Sequence, residues 1–110
     1  MLVVELENKI KELNDAIRHM KDNGIALAQA EHDYKVAQSK EELRLRDMGM
    51  PVTILGDVVR GIPTIADLRQ ARDIAQVCYD ANRENINSIK LQIRILQNQI
   101  SQEWGYAKYE

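Results

Sequence analysis

Arg44, Arg46, Arg60, Arg69 and Arg72 bring five of the chain's eight arginines into one stretch. Guanidinium groups gathered in this way can grip phosphate oxygens through paired, charge-assisted hydrogen bonds. Asp57 and Asp67 fall in the same stretch and could hold ribose hydroxyls, while Tyr34 or Tyr79 could stack on a base. Gly56 and Gly61 allow close backbone approach, and a helix start at Thr64 would offer unsatisfied N–H groups to an anion. The candidate ligand-binding set is therefore Arg44, Arg46, Asp57, Arg60, Thr64, Asp67, Arg69, Arg72 and Tyr79. The competing reading is internal pairing, because Asp47, Asp57, Asp67 and Asp73 leave residues 44–73 a net charge of only +1.

Other chemistry has little to stand on. His19 and His32 are 13 apart, with no His-x-x-x-His or Glu-x-x-His spacing, so no metal site is expected and both read as solvated helix residues. No Walker loop, GxSxG or GxGxxG occurs, and Glu41-Glu42 reads as a helix face, so neither an enzyme nor a cofactor is expected. Cys78 is the single cysteine, which excludes an internal disulfide and reads as a buried spacer in a reducing compartment.

Long helices must position these residues. The chain has 110 residues, 45% apolar and 29% charged, with five Gly, two Pro and no Phe, a composition that suits helices and starves a β-sandwich of aromatics. Leu6, Ile10, Leu13, Ile17, Met20, Gly24 and Leu27 alternate spacings of four and three, and Tyr34, Leu45 and Met48 extend the stripe. That pattern predicts a helix over 3–48, stopped by Gly49 in the left-handed conformation and by Pro51. A second stripe, Ile65, Leu68, Arg72, Ala75, Tyr79, Asn82, Ile86, Ile89, Ile93, Leu96 and Ile100, predicts a helix over 64–104 with Thr64 as N-cap and Asp67 in its first turn. Trp104-Gly105 would close it, leaving a short tail, 105–110, to fray. The connector 49–63 is long for a turn between helices. Val52, Leu55, Val58, Val59 and Ile62 predict a short helix near 52–60 within it, Pro51 serving the first turn and Gly61 the end, with an irregular loop as the alternative.

The expected fold is all-α: one domain, a long antiparallel helical hairpin resembling a coiled coil, with a short connector helix. A two-helix hairpin encloses little core, so a homo-oligomer is expected. A register in which paired residue numbers sum to 112 or 113 sets Leu13 near Ile100, Ile17 near Leu96, Met20 near Ile93 and Gly24 near Ile89. It also sets Glu31 near Asn82, Tyr34 near Tyr79 and Glu41 near Arg72. These polar layers either specify register, as a buried Asn does in coiled coils, or form a ligand site between subunits.

Net charge is −2, with a pI near 5.7, which gives no general drive toward nucleic acid. Residues 52–72 have the outline of a helix-turn-helix, but the second helix runs on for some 30 residues beyond a recognition helix's usual length. No basic start followed by an apolar leader occurs, and no apolar run approaches the roughly 20 residues of a membrane span, so a cytoplasmic protein is expected.

The runs Leu45-Arg46-Asp47-Met48-Gly49-Met50-Pro51-Val52-Thr53, Ala66-Asp67-Leu68-Arg69, Arg72-Asp73 and Lys90-Leu91-Gln92-Ile93-Arg94, continuing to Glu103-Trp104, resemble small helical proteins of phages and prophages of Gram-positive bacteria. The likeness covers roughly residues 25–104. It implies a host-cytoplasmic setting and three functions for such a chain: antagonism of host defence, accessory work in phage DNA replication or recombination, or assembly. The favoured expectation is a non-enzymatic antagonist of antiviral defence that sequesters a phosphate-bearing nucleotide signal at a subunit interface. The alternative is a helical interaction module that engages a host or phage protein, or a replication accessory.

Overall fold

The structure, a computed structural model, describes residues 1–109, with side chains described through residue 105. It is all-helical: α1 spans Leu2–Asp47, α2 Val52–Arg60 and α3 Pro63–Tyr109, and no strand occurs among the described residues.

The stop after α1 forms as its sequence implies. Gly49 has φ of 92°, in the left-handed region, its N–H donates to the Arg46 carbonyl at 3.0 Å, and the Met50 N–H donates to the Leu45 carbonyl at 3.1 Å. These are the two bonds of a Schellman motif, and Met50 packs on the apolar cluster that contains Leu45, the contact that usually accompanies it. Arg44 and Arg46 lie in the last turn, where a cation favours the helix dipole.

Three expectations about helix ends need correction. Pro51 is the extended N-cap of α2 (φ −60°, ψ 137°), just outside its first turn. Pro63 is the first residue of α3, so Thr64 lies inside the helix and does not cap it; the Ala66 N–H already donates to the Ile62 carbonyl at 2.8 Å. Proline fits this first position because its missing N–H would have no helical partner there and its φ is preset. Gly105 does not end α3, which continues to Tyr109. A single glycine costs a helix only about 1 kcal/mol, and nothing after it forbids continuation. Glu110, the end of the expected tail, lies outside the described residues.

The chain packs as two compact units, one of residues 1–22 with 80–110 and one of residues 23–79. In the first, Ala16, Ile86 and Ile89 form the buried centre, with Leu13, Met20 and Ile93 packed around it. In the second, all three helices share one core: Tyr34 and Leu45 from α1, Leu55 and Val59 from α2, and Ile65 from α3. The connector helix thus supplies two of five buried side chains.

Within the second unit α1 and α3 run antiparallel, since Tyr34 meets Arg72 while the earlier Gly24 meets Tyr79. Those pairs have numbers that add to 106 and 103, so the register of 112 or 113 is off by about one heptad at Tyr34 and by nearly another turn at Gly24. A slip of seven residues returns the same stripe positions to the seam, so the heptad pattern cannot distinguish the two registers. Leu45 shares its core with Leu55 and Val59 of α2, so the connector helix engages the end of α1 and α3 pairs with earlier turns.

On α3 every position of the expected stripe is buried or half-buried. On α1 the seam is rotated: Ala16 is 6% exposed, whereas Ile10 and Ile17 of the expected stripe are 42% and 47% exposed. Met48 is exposed as well, because α1 has ended before it.

Candidate functional site

The nine sequence-derived candidates all lie in the second unit, but the structure does not bring them to one focus. Arg44 sits a turn from Glu41 and donates twice to its Oε2, from Nε at 2.9 Å and Nη2 at 2.7 Å. Its Nη1 lies 3.5 Å from the Met48 sulfur. Arg60 pairs with Asp57 across one turn of α2. Arg72 donates to Asp73 Oδ1 from Nη2 at 2.9 Å and Nε at 3.2 Å, and its guanidinium carbon stands 4.7 Å from the centre of the Tyr34 ring. Three of the five arginines are therefore held by carboxylates one to three residues away, which is the internal pairing that the composition of this stretch allowed.

Arg46 and Arg69 make no ion pair with the described residues. Arg69 lines an open depression with Asp67, Gln70, Asp73, Ile74 and Val77. All of these belong to α3, so the depression has no facing wall from another helix. Cys78 lies at its edge and is exposed, contrary to the expectation of a buried spacer. Thr64 is exposed in the first turn of α3.

The polar layers also differ from expectation. Glu41 is engaged by Arg44, leaving Arg72 to the face of Tyr34, a cation–π contact that a half-buried guanidinium and an aromatic ring form without a ligand. Tyr34 is buried and packs in the three-helix core. Tyr79 lies against Gly24, its Cε2 3.5 Å from the position a Cβ there would take, so the small residue makes room for the ring. In the first unit the Asn82 side-chain amide donates to the Ala16 carbonyl at 2.9 Å, a bond that spends its polarity inside the seam. No buried side-chain polar atom lacks a partner among the described residues. The described residues also contain no group of three His, Cys, Asp or Glu arranged to hold a metal ion.

The sequence reading missed the exposed apolar rows. Ile10 and Ile17 stand outside the seam because Ala16 occupies it, and Ile54 and Val58 are exposed on α2 while Leu55 and Val59 of the same helix are buried. The signal was present: Ala16, Ala30 and Ala37 fall on one seven-residue repeat with Asn23. Small residues at such spacing let helix backbones approach closely and compete with a stripe of larger side chains for the seam.

The class that this architecture defines is an all-helical protein of two long helices and a short connecting one. Comparison with protein-family models, with curated proteins and with solved structures found no match. No helix of the described residues is long and apolar enough to cross a membrane.

Proposed function

We propose that the protein is a non-enzymatic helical interaction module that engages a host or phage protein through an apolar helix face. The observation that carries this reading is the division of α2: Leu55 and Val59 are buried in the core while Ile54 and Val58, four residues apart, present a second apolar row to solvent. Side chains at that spacing are the anchors by which one helix docks on another. The resemblance to phage and prophage proteins points to host defence or phage replication proteins as the partner class, and to the host cytoplasm as the setting. Tagged protein expressed in infected cells is expected to co-purify a partner, and Ile54→Ser with Val58→Ser is expected to release it while helix content is unchanged. An empty pull-down with the unaltered chain would count against the reading.

Capture of a phosphate-bearing nucleotide signal is the second reading, favoured by Arg46 and Arg69, which no carboxylate neutralises among the described residues. It requires the opposite wall of the Arg69 depression to come from another subunit. Thermal melts with a panel of cyclic and ADP-ribose-type nucleotides test it: a rise in Tm that Arg69→Ala abolishes supports the reading. A flat panel counts against it.

A further inference from the structure

The first unit has a seam with two unlike edges. Along one edge Glu5, Lys9, Glu12 and Gln92 border a shallow depression over Leu96, with Ile95 the one exposed apolar side chain among its lining residues. Along the other, Val3, Ile10 and Ile17 recur every seven residues on α1 and are all exposed. They lie about 40° around the helix from Leu6, Leu13 and Met20, which repeat at the same interval and are only half-buried. Ile93 and Ile100 of α3 are likewise half-buried, whereas Ala16, Ile89 and Leu96 of the same seam are buried. The exposed row of α1 thus adjoins the half-buried rows of the seam. Val3, Leu6, Ile10, Leu13, Ile17 and Met20 form a continuous apolar strip with the three-four spacing of a helix-docking surface.

We infer that this strip is covered by the same strip of a second copy of the chain, the two related by a two-fold axis near Ile10. The area argues for an occupant of that size. The chain exposes 8201 Å², about 2000 Å² more than the roughly 6200 Å² of a compact monomer of 12.6 kDa. A standard interface removes about 800 Å² from each partner, so one further copy accounts for much of the excess. The pattern is also self-complementary, as a two-fold interface demands. With the strips antiparallel about Ile10, that residue meets its own counterpart and Val3 meets the partner subunit's Ile17. The product is four helices around a core that two helices leave open, a bundle geometry in which side chains at these spacings interdigitate.

Sedimentation equilibrium of the full chain at tens of micromolar tests the inference. A dimer is expected, and Ile10→Ser with Ile17→Ser is expected to weaken it by at least about 100-fold with helix content by circular dichroism unchanged, since both residues are exposed in the isolated chain. On a Cys78→Ser background, Ile10→Cys is expected to cross-link two chains under mild oxidation, whereas Val36→Cys, on the other unit, is not. This second measurement holds even if the serine variants fold poorly. A monomer, a dimer that survives both substitutions, or equal cross-linking from the two cysteine variants would overturn the inference. So would a monomer that binds an acidic helix of another protein through Ile10 and Ile17, an outcome that leaves the proposed role of α2 untouched.

Discussion

The two packing units solve the same problem by different means. The unit of residues 23–79 folds a third element into its core, so that Val59 and Ile65 are almost wholly buried within a chain segment of modest length. The unit of residues 1–22 and 80–110 has only a helix pair, and large side chains such as Ile10, Ile17, Leu91, Ile95 and Trp104 stay exposed. A connector helix of nine residues, Val52–Arg60, therefore covers in one unit the kind of apolar surface that the other leaves exposed. The five clustered arginines lie in the better-closed unit, yet three of them serve local ion pairs, so the concentration of charge does not mark one binding centre.

Substitutions can break this contrast in order of effect. Val59→Asp places a charge in the three-helix core and is expected to cost more than 4 kcal/mol, abolishing the cooperative unfolding of that unit in denaturant melts. If the mutant keeps amide-exchange protection at Tyr34 and Ile65, the shared core is wrong. Ile89→Ala removes a buried side chain from the two-helix seam and is expected to cost about 2–4 kcal/mol. A loss at the low end would indicate that the open seam relaxes into the space, and measuring it over a range of protein concentration would show whether the inferred second copy contributes.

Gly49→Ala addresses the junction before α2. The backbone there is left-handed, so a side chain is expected to cost about 1–2 kcal/mol in chemical unfolding although no atom lies within 4 Å of the new Cβ. Gly24→Ala is expected to act in the opposite direction. Its Cβ would meet Tyr79 at 3.5 Å, an ordinary contact, so removing a mid-helix glycine should raise stability by up to about 1 kcal/mol. Destabilisation would mean that Tyr79 approaches α1 more closely than the structure shows. Arg44→Ala comes last: its pairing with Glu41 is exposed on the arginine side, and less than about 1 kcal/mol should be lost.

Much of this was legible in the residues. The α3 stripe read correctly because Ile and Leu hold both of its ends, at 65–68 and 86–100, at spacings of three and four, and the existence of α2 read correctly because Leu55 and Val59 fall one turn apart between Pro51 and Gly61. The α1 stripe read less well. Two overlapping repeats, one through Ile10 and Ile17 and one through Ala16, satisfy the same periodicity, and hydrophobicity alone favours the larger side chains. Within the candidate site, the types of residue allowed both phosphate binding and local pairing; only distances such as 2.7 Å from Arg44 to Glu41 show which neighbours take the arginines.

The sequence by itself determined the helices, the stop at Gly49 and the face of α3, because these depend on intervals of three to five residues along one chain; on α2 it set Val52 and Val58 with Leu55 and Val59, yet only the latter two are buried. Tertiary structure alone decided the register of α1 against α3, the rotation that buries Ala16 in place of Ile17, and the capture of Leu45 by α2. A heptad repeat is degenerate under a shift of seven residues, so local spacing leaves such choices open. They are made by close packing between segments far apart in the chain, where a short third helix and a few alanines outweigh the more conspicuous isoleucines.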